Sequence, residues 1–227
     1  MNEPLFASMQ QHMISDIEAH TGMCVDFIGK STLDPRVMQV MAEIPRHEFV
    51  PVEFQDYAYA DTPLPIGYNK TISQPFIVAL MTDLLALNAT DKVLEIGTGL
   101  GYQAAVLAKL SAKVYTVDII EELSEQAQRR FGQLGYRNIE TRISDGYFGW
   151  PEIAPFDKII VTAAPDLIPP PLLHQLKPGG RMVIPAGLAD AQKLIVVVRD
   201  SAGSLSTKEM LPVRFSELES DASATHC

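Results

Sequence analysis

Residues 91–103 read Asp91-Lys92-Val93-Leu94-Glu95-Ile96-Gly97-Thr98-Gly99-Leu100-Gly101-Tyr102-Gln103. The run from Val93 to Ile96 consists mainly of strand formers, three glycines follow at alternate positions, and a buried, alanine-rich helix is predicted from Tyr102 to Leu110. A strand, a glycine turn and a helix in this order are typical of nucleotide-binding α/β sheets. Glycines allow positive φ angles and let a ligand lie against the main chain. The sequence therefore predicts a Rossmann-like, doubly wound α/β sheet.

The spacing of the glycines indicates the class of cofactor. A dinucleotide fingerprint is G-x-G-x-x-G, whereas Gly97, Gly99 and Gly101 alternate here and Glu95 precedes them. The pattern Glu-x-Gly-x-Gly-x-Gly is similar to the first motif of S-adenosylmethionine-dependent methyltransferases, whose loop faces the cationic amino acid end of the cofactor. An acid beside the turn suits a cation and would repel a pyrophosphate. A tight turn in an unrelated α/β protein is the alternative interpretation.

Composition limits the class of protein and its partners. The chain has 227 residues, of which 47% are hydrophobic, so one sizeable packed domain is expected. A net charge of -10 without a Lys/Arg run argues against nucleic acid or an anionic membrane as the main partner. The spacing of Cys24 and Cys227 fits neither a metal site nor a disulfide framework. Residues 1–18 lack the pattern of a signal peptide. No apolar run approaches the roughly 20 residues that a membrane-spanning helix needs. We therefore expect a cytoplasmic protein without a metal, a monomer or a weak oligomer.

The chain before the glycine loop is predicted to contain two helices and a connection. Apolar residues recur at helical spacing over residues 6–17, and Asp34-Pro35 begins a second helix. His47, a solitary histidine between Pro and Phe residues, is interpreted as a packing residue and not as a catalyst. The proline-rich segment 57–67 is predicted to lie across the domain surface.

A second segment of interest is Thr71-Ile72-Ser73-Gln74-Pro75. Ser73 or Gln74 is predicted to begin a helix with Pro75 in its first turn. Serine is a common N-cap residue, so spacing alone favours a cap for Ser73. The alternative is a hydroxyl offered to a substrate, and the two roles do not exclude each other.

Two strand ends carry acidic residues that could bind a nucleoside. A strand ends at Asp118, 17 positions after Gly101 (118 − 101), close to the roughly 20 residues expected of an acid that accepts hydrogen bonds from ribose hydroxyls. The strand at 138–143 is followed by Asp145 and Gly146, an acceptor for the adenine amino group and a glycine that lets the base approach. A helix-start acid and a turn, respectively, are the alternatives.

The next strand end indicates the kind of acceptor. Residues 156–161 are a predicted strand followed by Thr162-Ala163-Ala164-Pro165. Methyltransferases that act on amino groups of bases often carry an Asn/Asp-Pro-Pro-aromatic motif here, and those that act on pyrimidine carbon a Pro-Cys nucleophile, but this chain has neither. Small, nearly neutral residues suit an atom that is already nucleophilic. A carboxylate, ionised far above a pKa of about 4, is such an acceptor and needs no general base.

The C-terminal part is predicted to form an antiparallel edge of the sheet. Further strands are expected at 181–185, 193–198 and 212–215, with a hairpin-like turn at 200–204 between the last two. Residues 216–227 are expected to be a frayed polar tail, whose His226-Cys227 pair lacks the other ligands that a metal site needs. The predicted division is an N-terminal helical and substrate-side segment at 1–75, a cofactor-binding core at 76–215 and the tail at 216–227.

Taken together, these segments resemble the protein-L-isoaspartate O-methyltransferase family over roughly residues 33–215. The resemblance is carried by the glycine loop and by Asp34-Pro35-Arg36-Val37, Pro45-Arg46-His47-Glu48-Phe49-Val50-Pro51, Ala58-Tyr59-Ala60-Asp61, Pro63-Leu64-Pro65-Ile66-Gly67, Thr71-Ile72-Ser73-Gln74-Pro75, Pro155-Phe156-Asp157, Gly179-Gly180, Gln192 and Pro212-Val213-Arg214-Phe215. It implies methyl transfer from S-adenosyl-L-methionine to the α-carboxylate of L-isoaspartyl residues in damaged proteins and peptides, which starts repair through a succinimide.

The resemblance also implies roles for individual residues. Ser73 becomes the active-site residue near the acceptor carboxylate and Asp61 a supporting residue, with Thr162 and Ala163 on the substrate side. The implied cofactor positions are Gly97, Thr98, Gly99, Gly101, Asp118, Asp145 and Gly146, with Ile72, Gln74 and Glu95 lining the same site. The family usually has Glu in place of Asp118, and Arg-Phe-Val-Pro-Leu where this chain has Arg214-Phe215-Ser216-Glu217-Leu218.

Three other functions remain open at this point. A methyltransferase with a different acceptor would share the cofactor site. A protein that binds the cofactor without catalysis would not transfer its methyl group to any acceptor. A nicotinamide dehydrogenase would require the other glycine spacing.

Overall fold

The computed structural model describes residues 3–220. Within this range seven strands form one sheet in the order β5-β4-β3-β6-β7-β8-β9, and β1 and β2 form a separate hairpin. The strands are β1 (Leu64–Gly67), β2 (Lys70–Ile72), β3 (Lys92–Ile96), β4 (Lys113–Asp118), β5 (Ile139–Ile143), β6 (Phe156–Val161), β7 (Leu176–Ala186), β8 (Lys193–Arg199) and β9 (Leu205–Pro212). The α-helices of this range are α1 (Glu3–Met23), α2 (Val25–Ile28), α3 (Pro35–Glu43), α4 (Pro75–Leu85), α5 (Tyr102–Leu110), α6 (Glu121–Gln133) and α7 (Pro170–His174).

The sheet is parallel in its centre and antiparallel at one edge. Strand β3 pairs in parallel with β4 and β6, while β7 pairs antiparallel with β8 and β8 with β9. Val93, Leu94 and Ile96 of β3 are buried because both faces of the central strands are covered. The predicted doubly wound sheet with an antiparallel C-terminal edge is confirmed. Because β3 and β4 leave the sheet at the same edge, the loops that follow them meet there.

The N-terminal helix α1 packs on the domain, as its apolar spacing predicts. Phe6, Met13 and Ile17 are buried against the main core. The side chain of Gln10 donates from Nε2 to the carbonyl of Ile44 at 2.9 Å, which ties α1 to the end of α3. Helix α3 itself begins as predicted, with the carboxylate of Asp34 accepting from a main-chain N–H in its first turn.

Two predictions about the chain path are corrected by the structure. The segment 57–67 does not only cross the surface, because its last residues pair with β2 in a hairpin. The last strand is not at 212–215 but at Leu205–Pro212. Most of this edge strand is polar and solvent-exposed, so it lacks the apolar signal that sequence analysis uses, and Val213 and Phe215 pack against the core beyond its end.

The segment 216–220 is ordered and not frayed. Ala164 N–H donates to the carbonyl of Ser216 at 2.8 Å, and Leu218 N–H donates to the carbonyl of Ala164 at 2.9 Å. This short parallel bridge holds the segment beside the end of β6. The remainder of the predicted tail, with His226 and Cys227, lies outside the described residues. Within the described range no helix is both long and apolar enough to span a membrane, and no cluster of metal-ligating side chains is present.

Candidate active site

A cavity of about 620 Å³ opens where the glycine loop leaves the sheet. Its wall brings together Ser73 and Gln74 from the start of α4, Asp118 from the end of β4, and Thr162 and Ala163 from the end of β6. An inner recess of about 50 Å³ is lined by Ile72 and Thr98. Five predicted site residues, together with Gly97 and Gly99, therefore line the cavity, and Ile72 and Thr98 line the recess, although all of them come from four separate parts of the chain.

The conformation of the glycine loop and its close contacts with neighbouring side chains favour glycine at these positions. Gly97, Gly99 and Gly101 have φ angles of 95°, 52° and 95°, in the left-handed region that favours glycine. A Cβ on Gly97 would collide with the hydroxyl of Thr162. That hydroxyl donates to the carbonyl of Gly97 at 2.8 Å, so Thr162 supports the loop from the neighbouring strand.

Gly101 has a structural role that differs from the roles of Gly97 and Gly99. A Cβ on Gly101 would come within 2.5 Å of the ring of Phe131 in α6. Among the described residues Gly101 does not line the cavity but allows α5 and α6 to pack closely. The structure thus separates ligand-facing glycines from a packing glycine, which the spacing alone cannot do.

Asp118 joins the end of β4 to the glycine loop. Its Oδ2 accepts from the N–H of Gly99 at 2.7 Å and its Oδ1 from the N–H of Ile120 at 2.9 Å. Burial raises the pKa of Asp118, and the two main-chain hydrogen bonds act in the opposite direction. The carboxylate lines the cavity while it fixes the loop, which is the position expected of an acceptor for ribose hydroxyls.

Ser73 does not cap helix α4. The N-cap residue is Gln74, without a side-chain capping bond, and the capping acceptor comes from far away in the chain: Oδ1 of Asp61 accepts from the N–H of Phe76 at 2.8 Å. Oδ2 of the same carboxylate accepts from Nε2 of Gln74 at 3.0 Å. Because Asp61 takes the capping role, the hydroxyl of Ser73 is left for the cavity.

The main chain at Ser73 is held by a buried cation. Arg46 is fully buried, and its guanidinium donates to the carbonyls of Ala58 and Ser73, both at 2.8 Å. The guanidinium also lies 4.7 Å from the ring centroid of Tyr102, a cation–π contact with the first residue of α5. Arg46 therefore connects the Ser73 segment to the helix that follows the glycine loop.

Glu95 lies behind the loop and, among the described residues, is not on the cavity wall. Strand alternation turns its side chain to the same face as Val93, into the core, where it is completely buried. Its Oε2 accepts from Thr116 Oγ1 at 2.5 Å, and that hydroxyl lies 2.7 Å from Thr98 Oγ1. Burial raises the pKa of Glu95 to about 8, and the nearby Asp118 adds to the increase, so the carboxyl is neutral at pH 7.

The predicted adenine residues lie at the end of β5, next to the C-terminal segment. The carboxylate of Asp145 accepts from Tyr147 N–H at 2.8 Å and from Ser220 Oγ at 2.6 Å. Gly146 approaches β3 so closely that a Cβ would collide with the side chain of Ile96. Both residues shape the loop beside the cavity, and neither is on the wall that the described residues form.

The wall also contains residues of two segments that were not predicted to belong to the site. The C-terminal segment contributes Ser216, Glu217 and Glu219, and the β1–β2 hairpin contributes Lys70. Lys70 Nζ donates to Glu219 Oε1 at 2.6 Å and so joins the two segments. The partners are 149 positions apart, and no local pattern predicts such a contact.

Comparison with known proteins identifies the family to which this site belongs. The family model for protein-L-isoaspartate(D-aspartate) O-methyltransferase matches residues 22–223. The chain belongs to this family. A protein from Polaromonas sp. strain JS666 named protein-L-isoaspartate O-methyltransferase 1 is 61% identical over 219 residues, which cover 96% of this chain and 93% of that protein.

Solved structures show the same fold. A structure titled protein-L-isoaspartate O-methyltransferase superposes with a TM-score of 0.78 at 28% identity and covers 93% of this chain and 66% of its own. A Plasmodium falciparum protein, titled as a putative member of the family in complex with S-adenosyl-L-homocysteine, superposes with a TM-score of 0.73 at 22% identity, over 82% of this chain and 91% of its own. The sequence-based recognition of the family is confirmed.

Proposed function

We propose that this protein methylates the α-carboxylate of L-isoaspartyl residues in damaged proteins and peptides, with S-adenosyl-L-methionine as methyl donor. The observation that carries the proposal is the shared cavity of Ser73 and the glycine loop, because these are the two segments most specific to the family. The methyl ester that results loses methanol when the neighbouring amide nitrogen attacks it. The product is a succinimide, from which a normal aspartyl residue can form.

The residues of the cavity fit the proposed cofactor. A volume of about 620 Å³ lies within the range of roughly 300–1,000 Å³ that is typical of small-molecule sites. The bare main chain at Gly97 and Gly99 would face the amino acid end, and Asp118 would accept from the ribose hydroxyls. Gln74, Ile72 and Thr98 would complete this part of the site, and Asp145 and Gly146 would border the adenine.

Methyl transfer to a carboxylate requires that the two reactants are positioned, but it does not require a general base. When bound, S-adenosyl-L-methionine supplies a methyl group activated by its sulfonium, and an ionised carboxylate oxygen can take up that group without losing a proton. Ser73 would hold the acceptor carboxylate by donating its hydroxyl hydrogen. Thr162 and Ala163 add no charge to the wall that would compete for the carboxylate. Fixing the acceptor and excluding water therefore account for most of the acceleration.

The test is transfer of labelled methyl to two peptides that differ only in one linkage. The isoaspartyl peptide should acquire base-labile label, and its normal aspartyl counterpart should not. Calorimetric titration with S-adenosyl-L-homocysteine in parallel reports the cofactor site alone. Cofactor binding without transfer to the isoaspartyl peptide would refute the proposed acceptor and leave the cofactor assignment standing.

We also propose a cytoplasmic location and function as a monomer or weak oligomer, without nucleic acid or membrane as a partner. The supporting features are the net charge of -10 and the two cysteines, which are far apart in the chain. Size-exclusion chromatography with light scattering tests the oligomeric state. A stable dimer at micromolar concentration would contradict that part of the proposal.

A further inference from the structure

Helix α1 brings an imidazole to the wall of the active-site cavity. His20, in the last turn of α1, lines the same cavity as Ser73. Its side chain is 38% exposed, and its ring packs at 5.4 Å from the ring of Phe76. The helix that carries it is fixed by buried apolar residues and by Gln10, so the imidazole has a defined position.

The ring has one buried and one open side. Nδ1 of His20 is buried and lies 2.5 Å from Oδ2 of Asp61. Because Nδ1 is buried and His20 lines the cavity, we assign the exposed part of the side chain to the edge that carries Nε2. Asp61 also accepts from Gln74 and from the N–H of Phe76, so it fixes His20 relative to the Ser73 segment.

The partner at Nδ1 determines which group the open side offers. An ionised carboxylate only accepts hydrogen bonds, so its proximity favours the tautomer of His20 that carries the hydrogen on Nδ1. In the neutral ring, Nε2 then presents a lone pair to the cavity. Ser73 offers a hydroxyl hydrogen to the acceptor carboxylate, whereas His20 offers an acceptor. A peptide bound beside Ser73 carries the complementary donors in its main chain.

We propose that Nε2 of His20 accepts a hydrogen bond from a main-chain N–H of the peptide next to the isoaspartyl residue. This role rests on the proposed function, because it names how the same site holds its peptide. A main-chain contact accepts peptides of unrelated sequence. His20 is thus a substrate-binding residue that the N-terminal helix supplies.

Replacement of His20 by Asn separates a binding role from a structural one. Asn places an amide near the position of Nδ1 and can keep the contact with Asp61, but it offers nothing at the position of Nε2. His20→Asn and His20→Ala should both raise the KM for an isoaspartyl peptide about fivefold to tenfold, the range of one hydrogen bond, with less than about a twofold change in the Kd of S-adenosyl-L-homocysteine. His12→Asn, an exposed histidine of the same helix, is the matched control.

Peptides with a single N-methylated amide on either side of the isoaspartyl residue complete the test. One of these peptides should bind the wild-type protein more weakly than the unmethylated peptide does, but should bind His20→Ala as well as the unmethylated peptide does. The losses of affinity caused by N-methylation and by the substitution are then not additive. If His20→Asn keeps the wild-type KM, or if the effect of N-methylation on binding is the same with and without His20, the proposed hydrogen bond is refuted. If the wild-type protein transfers no methyl to isoaspartyl peptides, the proposed function fails first, and the partner assigned to His20 fails with it.

Discussion

Replacement of Glu95 by Gln should stabilise the protein in a manner that depends strongly on pH. Glu95 is fully buried, and its pKa is raised to about 8 from an ordinary value of 4.5. The unfolded chain loses this proton above its ordinary pKa, whereas the folded chain keeps it up to about pH 8. The unfolded state therefore binds fewer protons in this interval, and the free energy of unfolding falls as pH rises.

The size of the change in the free energy of unfolding follows from the distance between the ordinary pKa of Glu95 and its pKa in the folded protein. Each pH unit costs about 1.4 kcal/mol, so the interval of roughly 3.5 pH units corresponds to at most about 5 kcal/mol. Between about pH 5.5 and pH 8 the loss is about 3 kcal/mol. Gln has nearly the same shape as the neutral carboxyl and can accept from Thr116 in its place, but it does not titrate. Asp118, whose pKa is also raised, is present in both proteins, so it enters the difference only through its charge coupling to Glu95.

Urea denaturation at several pH values measures this difference. The free energy of unfolding of Glu95→Gln minus that of the wild type should grow by about 3 kcal/mol from about pH 5.5 to pH 8, with unchanged m-values. Glu53→Gln makes the same chemical change at an exposed position and controls for the loss of one carboxylate. Parallel pH curves for the wild type and Glu95→Gln would show that Glu95 is ionised in the folded protein and that its pKa is not raised.

Three further substitutions test the site. Ser73→Ala should lower kcat/KM for the isoaspartyl peptide about 10- to 100-fold without weakening the binding of S-adenosyl-L-homocysteine; unchanged kinetics would contradict the role of the hydroxyl. Asp118→Asn should raise the calorimetric Kd of S-adenosyl-L-homocysteine about tenfold or more, since it replaces an anionic acceptor; an unchanged Kd would exclude a ribose contact. Gly101→Ala should lower the free energy of unfolding by about 2 kcal/mol or more because of Phe131, whereas Gly132→Ala, at an open helical position, should raise it by up to about 1 kcal/mol; equal effects would disprove the packing role.

The central fold could be predicted because its signals are local. Val93 to Ile96 are buried on both faces of a parallel sheet, and such strands read as apolar runs in the sequence. The helix from Tyr102 to Leu110 has the predicted bounds. Edge strand β9 could not be found in this way, because most of its side chains face water and carry no apolar alternation.

The site was predictable where each residue follows a strand end and not where distant segments meet. Asp118 ends β4 and Thr162 follows β6, and both strands pair in parallel with β3, so topology alone brings these residues to the same edge of the sheet. The capping role of Asp61, in contrast, depends on a contact with Phe76, 15 positions away. Without knowledge of this contact, the sequence favours Ser73 as the N-cap residue. The position of His20 depends on how α1 packs on the domain, which no spacing in the sequence specifies.

The central claim, that this cavity methylates the α-carboxylate of isoaspartyl residues, is tested most directly by competition in one tube. An isoaspartyl peptide and its normal aspartyl counterpart are mixed with the protein and with S-adenosyl-L-methionine that carries a deuterated methyl group. Tandem mass spectrometry then locates the label. We expect one deuterated methyl ester, on the free α-carboxylate of the isoaspartyl peptide and absent from its counterpart. Equal labelling of both peptides, or label on any other group, would contradict the account.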